Sequence, residues 1–428
     1  VINNNAERLG KQLWTAGHEG EPLKLYTAYN EQDEARYVVD CIEDHVDKGG
    51  ARSDVAILYR SNAQSRVFEE RLMQCGVPYR VYGGLRFFER AEIKDALAYL
   101  RLAANRGDDA SFERVVNHPP RGIGGRTLEA VRQQAKDGAT SLWQAAATVA
   151  NEKMLPARAC NAIIGFLKLI DDLAEGIGKL PLGEQVEHVM HPSGLVDHFT
   201  KEKGEKGQAR LENLQELVNA AREFEHDPDS GMDPLSEFLS HAALEAGEGQ
   251  ADAWEDCVQL MTLHSAKGLE FPLVFLCGME EGLFPHQRSV EEPGRLEEER
   301  RLCYVGITRA RQHLTLTCAE RRRLFGSETY CLPSRFIDEI PKELLDEVRP
   351  RPGVSMPQAT ASYDRQSFRN DSAGGLRLGQ HVRHAKFGDG VIMNCEGQGS
   401  SARVQVNFSR AGTKWLVLAY ANLEAVGA

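Results

Sequence analysis

Two stretches of the chain hold residues whose types and spacing could do chemistry. The first, Val258 to Phe271, reads VQLMTLHSAKGLEF. Val258 to Leu263 is predicted as a short buried strand, mostly apolar and ending in Thr262 and Leu263. His264, Ser265, Lys267, Gly268 and Glu270 follow, before a second apolar run from Phe271 to Cys277. That pattern predicts polar groups at the carboxyl edge of a sheet, where open α/β sheets bind ligands. A satisfied polar loop between two strands would read the same way. The second stretch, Leu296 to Arg311, reads LEEERRLCYVGITRAR and is helical by pattern: Leu302, Val305 and Arg309 recur on one face, and Glu297 precedes Arg301 by one turn. His313 to Cys318 follows as an alternating strand. Arg309, at the end of a helix docked on the sheet, could reach a phosphate with forked, permanently charged donors. Alternatively Arg300, Arg301, Arg309 and Arg311 solvate a helix face and pair with its glutamates.

The elements that must position these residues alternate along the chain. From Leu23 a strand precedes a helix over about Asn30 to Lys48, then the apolar run Val55 to Tyr59. A helix from Ala63 to Cys75 is stopped by Gly76. Arg60, Asn62, Gln64 and Arg66 cluster at that strand-to-helix turn, which offers amides and a positive helix end to an anion; a helix cap with surface side chains is the other reading. Between Gly83 and Trp254 amphipathic helices dominate: Ile93 to Arg106, Ser111 to Asn117, Thr127 to Lys136, Cys160 to Gly176 and Gln208 to Glu223. A helical block interrupting an α/β pattern reads as an inserted domain. Inside it, PPRGIGGRT (Pro119 to Thr127) combines glycines that tolerate close approach with Thr127 as a cap for the next helix. Amides of that cap could take a duplex phosphate beside Arg121 and Arg126, or the stretch is a plain interhelical turn. A further helix is expected near Ile337 to Glu347, and 349–376 has linker composition. Beyond it, Val382, Val391, Ile392, Val404, Val406 and Trp415 to Val417 alternate between turn formers, as in a small β-barrel. Its six basic residues (Arg377, Arg383, Lys386, Arg403, Arg410, Lys414) outnumber three acids.

The 428 residues suffice for two to four domains with real cores. Nine scattered cysteines without a CxxC pair argue against a disulfide framework or a zinc site, and for a reducing compartment. No apolar run approaches the roughly 20 residues of a membrane span, and Val1 opens no signal-peptide pattern. Net charge is −12, which taken alone disfavours a nucleic-acid partner, although local basic patches decide binding in a multidomain chain. No GxxxxGKS/T phosphate loop occurs.

TLHSAKGLEFPLVFLCGMEEGLFP and EEERRLCYVGITRAR together resemble motifs V and VI of the superfamily 1 DNA helicases of the UvrD/PcrA/Rep type. The resemblance extends through AILYRSNAQSR, RGIGGRTL, FLSHAALEAGEGQAD and GQHVRHAKFGDG, essentially the whole chain. It implies an α/β fold, a RecA-like parallel-sheet domain interrupted by an all-helical insertion, with a C-terminal Tudor/SH3-like β-barrel. The expected boundaries are residues 1–84 and 255–340 for the second motor domain (2A), 85–254 for the helical insertion (2B), 341–375 for a linker and 376–428 for the barrel. Arg8 to Trp14 resembles the segment just after motif IV, so a first RecA-like domain with the phosphate loop is expected upstream, and the chain alone is expected not to hydrolyse ATP. The resemblance implies ATP and Mg²⁺ as cofactors, held mainly by that other domain. Arg309 would then be an arginine finger, with Glu270, Lys267 and Gly268 on the nucleotide side and Glu270 receiving a ribose hydroxyl. Arg60, Asn62, Thr262 and His264 would face single-stranded DNA, and Arg121, Gly122, Gly124 and Thr127 the duplex at a junction. It further implies 3′-to-5′ unwinding in nucleotide excision and mismatch repair, RNA polymerase as partner of 376–428, possible contacts with repair proteins, no membrane contact, and a cytoplasmic, nucleoid-associated place in bacteria. The competing expectation is an autonomous, non-catalytic module that binds DNA or RNA polymerase.

Overall fold

A computed structural model describes residues 1–5, 20–202, 204–247, 255–292, 294–324, 327–349, 381–384, 387–396, 403–408, 412–417 and 424–425. The Arg8 to Trp14 stretch, residues 350–380, Lys386, Arg410 and Tyr420 lie outside them, as do the side chains of Arg403 and Trp415. The chain divides into two compact units, Val1–Gly353 and Val354–Ala428.

The first unit is built on β1 (Leu23–Ala28), β2 (Val55–Tyr59), β3 (Tyr79–Val81), β4 (Val258–Thr262), β5 (Phe271–Leu276) and β6 (Ala310–Ala319). A ribbon of β7 (Arg321–Leu324) and β8 (Ser327–Tyr330) follows, then β9 (Leu345–Glu347). Seven of these form one sheet in the order β3-β4-β2-β5-β6-β1-β9, with every pairing parallel. Parallel sheets need cover on both faces, and the side chains of β2 alternate accordingly. Val55, Ile57 and Tyr59 pack toward α1 (Glu31–Asp47) and α2 (Ser65–Gln74), while Ala56 and Leu58 join Met261, Leu263 and Cys303 on the opposite face. Asn30 caps α1 by accepting from the Asp33 amide at 2.9 Å. Gly76 ends α2 at φ +64°, and the Val77 amide returns to the Leu72 carbonyl at 2.8 Å, closing a Schellman turn.

Between β3 and β4 the chain leaves the sheet for α3 (Ala91–Ala104), α4 (Asp109–Val115), α5 (Gly125–Gly138), α6 (Leu142–Asn151), α7 (Ala157–Ile177), α8 (Leu182–Met190), α9 (Leu195–Thr200), α10 (Glu205–Glu223) and α11 (Pro234–Gly247). This helical block has its own core, including Phe112, Phe166, Ile170, Phe199, Leu217 and Phe238. After β5 come α12 (Gln287–Glu291) and α13 (Arg295–Ile307), then α14 (Arg335–Asp338). Two expectations need correction here. The helix near Ile337 to Glu347 stops at Asp338, because Pro341 cannot continue it. The sheet also runs past residue 340 into the expected linker, since Leu345–Glu347 pair in parallel with Leu23–Leu25.

In the second unit β10 (His381–His384), β11 (Gly388–Glu396), β12 (Arg403–Phe408), β13 (Gly412–Val417) and β14 (Glu424–Ala425) form an antiparallel sheet ordered β13-β12-β11-β10-β14. Val382, Val404, Val406 and Phe408 are its core. Among the described residues no helix is long and apolar enough to cross a membrane.

The first unit depends on one buried ion cluster. Arg322 on β7 donates through Nε to Glu280 (2.8 Å) and through Nη2 to Glu34 and Glu280 (both 2.6 Å). Glu34 also accepts from the Gly278 amide and Thr317 Oγ1, and Glu280 from the Ala319 amide. Glu34 is 1 % exposed and Glu280 0 %, so each carboxylate relies on that guanidinium for its countercharge. Arg322→Leu should therefore lower unfolding stability by about 3–5 kcal/mol, the usual cost of an uncompensated buried charge. Adding Glu34→Gln and Glu280→Gln should recover part of the loss. Urea midpoints of the three proteins check this; an unchanged midpoint in Arg322→Leu would show the cluster contributes nothing.

Candidate functional site

The candidate residues fall on two opposite edges of the sheet, and one segment connects them. Because all seven strands run the same way, β4 ends and β5 begins at different edges, with β2 lying between the two strands. Leu263 to Glu270 make that return as a run of turns. Leu263 and Ala266 are buried in the face they cross, and Gly268 turns the chain at φ +86°, where a Cβ would be strained. His264 and Ser265 thus sit at the carboxyl edge as expected, but Glu270 lies at the amino edge. The expectation of one ligand edge for the whole stretch is corrected: strand order, which the local pattern does not encode, separates the two ends.

At the carboxyl edge, Thr262 Oγ1 meets Ser265 Oγ at 3.1 Å and accepts from the Ser265 amide at 3.3 Å. Asn62 and His264 are exposed beside them. Desolvation and the nearby charge of Arg60 lower the His264 pKa, so its imidazole is neutral near pH 7. Arg60 is where the sequence puts it, but its guanidinium is occupied. Nε donates to both Glu299 oxygens (3.1 and 3.0 Å) and Nη2 to Oε1 (2.8 Å). Burial opposes the Glu299 charge, yet the hydrogen bonds and charge of Arg60, with donors from the His286 amide and Ser289, leave its pKa lowered. The sequence reading missed Glu299; its place one turn before Cys303 on α13 was the available signal.

At the amino edge, Arg309 follows the end of α13. Its Nε donates to the Val305 carbonyl (2.9 Å), Nη1 to the Leu269 carbonyl (2.8 Å) and Nη2 to Thr308 Oγ1 (2.9 Å). These are three of the five hydrogen bonds that a guanidinium can donate. Among the described residues it pairs with no carboxylate. Glu270 instead meets Arg311 at 3.4 Å, with both side chains more than half exposed, a pair of little energetic weight. Lys267 and Gly268 are exposed on the connecting segment. Arg309 is therefore a half-buried, aimed cation whose charge is not neutralised locally, which fits an anion.

The helical block holds the third candidate site. Gly122 (φ +82°), Gly124 and Gly125 are exposed, with nothing within 4 Å of an added Cβ at any of them. Gly124 itself is the N-cap of α5, extended at φ −84°, and no side chain caps the helix. Thr127 is not the cap, because α5 begins two residues earlier at Gly125. Arg121 also needs reassignment. It donates to the carbonyls of Val115 (3.2 Å), Pro119 (2.9 Å) and Ser193 (2.6 Å), and lies over the Tyr99 and Phe166 rings. Its guanidinium holds the loop together rather than facing out. What remains for an anion is the uncapped end of a 14-residue helix.

In comparison with known proteins, the model of the UvrD-like helicase C-terminal domain matches residues 1–156 and 160–321, and that of the PcrA/UvrD tudor domain matches residues 378–424. DNA helicase II of Escherichia coli (strain K12) is 60% identical over 427 residues, covering 100% of this chain and 59% of that protein. DNA helicase II of Haemophilus influenzae is 52% identical over the same length and coverage. The ATP-dependent DNA helicase PcrA of Bacillus subtilis is 39% identical over 442 residues, covering 99% of this chain and 59% of its own. The chain thus spans 59% of the length of these relatives. With both motif-bearing edges of its parallel sheet inside the matched span, the chain belongs to the UvrD-like helicase C-terminal domain family.

Proposed function

We propose that this chain is the second motor half of an ATP-dependent DNA helicase, with nucleotide bound at the amino edge of its sheet and single-stranded DNA at the carboxyl edge. The observation that carries this reading is Arg309, a guanidinium held in place by two carbonyls and a hydroxyl and, among the described residues, left without a carboxylate. A cation fixed in that way stabilises charge developing on a transferred phosphoryl group. The phosphate loop would come from a partner RecA-like domain facing this edge, since the sequence holds none. Mg²⁺, when bound, would offset the charge of the phosphates; no residue of this chain is assigned to it. Glu270, exposed and weakly paired, can exchange Arg311 for a ribose hydroxyl. Asn62, Thr262 and His264 supply neutral hydrogen-bonding groups to the strand, and Arg60 stays on Glu299 unless that pair opens. The names of the relatives, DNA helicase II and ATP-dependent DNA helicase PcrA, support the same assignment. We extend the reading to 3′-to-5′ travel and to nucleotide excision and mismatch repair, as the family resemblance implies.

For the second unit we propose protein binding, with RNA polymerase as partner. Phe408 is 2 % exposed and serves the core, and Lys414 lies over the Phe387 ring, so these two rings are already engaged. Among the described residues that leaves little aromatic surface on which bases could stack.

Arg309→Ala in the native protein carrying this chain should cut ATP turnover by about 10³–10⁵ while single-strand affinity stays within about twofold. Arg309→Lys should recover little, because a point charge cannot copy the planar fork. Steady-state ATPase rates and oligonucleotide titrations test both; near-normal turnover of the alanine variant would make Arg309 a surface residue.

Gly124→Asp tests the helical block. The new carboxylate should cap α5 and keep it folded, yet occupy the phosphate position. Binding to duplex–single-strand junctions should weaken about 10- to 150-fold, the weight of one charged hydrogen bond, with single-strand binding unchanged. Equal affinity for junctions would reduce the stretch to a turn.

Residues 354–428, expressed alone, should retain RNA polymerase in a pull-down and bind DNA weakly with steep salt dependence. Tight, salt-resistant DNA binding without polymerase would reverse the assignment.

A further inference from the structure

The carboxyl edge continues past β4 to the outermost strand, β3, and the residues there belong to neither candidate edge site. The Tyr82 amide donates to the Leu260 carbonyl at 2.8 Å, carrying the β3–β4 pairing one residue beyond Val81. By the alternation of that strand, Tyr82 leaves the face that buries Tyr79 and Val81 and joins the face crossed by Leu263 to Glu270. The next positions are set by their neighbours. Gly83 turns at φ +73°, and a Cβ there would lie 3.4 Å from Ser265 Oγ, so this backbone rests against the hydroxyl pair of Thr262 and Ser265. The Leu85 carbonyl accepts from Arg90 Nε at 3.3 Å, while Nη1 of the same guanidinium donates to the Asn62 carbonyl at 3.0 Å. Arg90 is itself buried and further held by Asn213 (2.8 Å) and Ser65 (2.6 Å).

One buried arginine therefore braces the loop after β3 to the loop after β2, and Gly83 braces it to the loop after β4. Within this rigid frame two large apolar side chains stand in solvent: Tyr82 is 44 % exposed and Leu85 54 %. Single exposed apolar residues are ordinary on protein surfaces. These two differ because they are held rigidly at the edge that carries exposed Asn62 and His264. Among the described residues, no ring or guanidinium covers the Tyr82 ring. An exposed aromatic face next to polar and cationic groups is how proteins hold a single strand without reading its sequence.

We propose that Tyr82 is a stacking platform for one base of single-stranded DNA, with Leu85 flanking it, so that the strand's path extends from Asn62 and His264 to the outermost strand of the sheet. The proposal rests on the carboxyl-edge reading under Proposed function and adds a subsite to it. Stacking carries no phosphate contact, so its loss changes affinity without changing the number of counterions released.

The test uses the native protein and oligodeoxythymidylates of graded length, followed by fluorescence anisotropy across a salt series. Tyr82→Ala should weaken binding by about 5- to 100-fold for oligonucleotides that reach the subsite, and leave the shortest ones unaffected. The slope of log affinity against log salt should not move, and Tyr82→Phe should bind as the parent does. Asn62→Ala, in parallel, reports on the edge itself. Parent-like binding by Tyr82→Ala while Asn62→Ala is weak overturns the subsite and leaves the edge standing. Parent-like binding by both removes the edge, and the subsite with it. Equal weakening of Tyr82→Ala and Tyr82→Phe would assign the effect to the hydroxyl and overturn stacking.

Discussion

Parallel pairing requires the chain to return from the carboxyl to the amino edge before each new strand. Between β4 and β5 that return is made by Leu263 to Glu270, with β2 lying between the two strands. Too short for a packed helix, the segment touches both candidate edges within one run of residues. A second connector, α13, makes the same passage, with Glu299 bound to Arg60 at the carboxyl edge and Arg309 just past its other end. The two connectors meet twice. A Cβ on Gly306 would come within 2.6 Å of Leu263 Cδ2, so only glycine lets the helix approach so closely. The Leu269 carbonyl holds Arg309 Nη1 at 2.8 Å. The two edges are therefore linked by packed contacts between their connectors, as the proposed coupling of nucleotide to strand requires.

Charge is distributed to the same end. The chain is acidic overall, at −12, and most of its buried arginines are consumed by glutamates. Arg322 serves Glu34 and Glu280, Arg66 serves Glu70, Glu216 and Glu223, and Arg300 serves Glu339. Apart from Arg66 with Glu70, which share α2, these pairs fix one element to another, and breaking them leaves a buried guanidinium without its countercharge. Arg309 differs from them in being held by neutral oxygens. Carbonyl and hydroxyl acceptors orient a guanidinium without cancelling its charge, so Arg309 brings a fixed cation to the amino edge of an acidic chain. Arg60 shows the opposite case, where a bidentate carboxylate takes both the geometry and the charge.

Much of this was legible from local patterns. The buried strands showed as apolar runs, and the helices α1, α2, α3, α5, α7 and α10 as periodic stretches, with ends within a few residues of those observed. Gly76 was readable as a helix stop because its backbone chemistry is local. What escaped depends on distant partners. The seventh strand is three residues long and exists because β1 offers an edge to it. The order β4-β2-β5 puts the ends of one motif on opposite edges, and no local pattern encodes strand order. Arg121 looked like a phosphate ligand by its neighbours in sequence, but the carbonyls that claim it include Ser193, far along the chain. Thr127 lost its capping role by a shift of two residues, a normal uncertainty of helix ends.

The junction between the helical block and the sheet follows the same division between apolar cores and paired charges. The block keeps its hydrophobic core apart from the two that line the sheet. Besides the Arg90 brace, a stripe of α10 joins them: Glu212, Glu216, Asn219 and Glu223, spaced so that they share a face. Glu212 accepts from Ser61 at 2.5 Å and lies 3.4 Å from His286; Glu216 and Glu223 meet Arg66 at 2.5 and 2.8 Å; Asn219 donates to the Arg323 carbonyl at 3.1 Å. Leu214, Leu217, Val218 and Ala221 of the same helix turn into the block's own core. An interface of this kind gains little from burying apolar surface, and its geometry is set by directional pairs that can exchange partners. Polar junctions between domains permit relative movement where apolar ones resist it. The orientation of the block is thus held by a few identifiable ion pairs, while each of the bodies they join carries its own core.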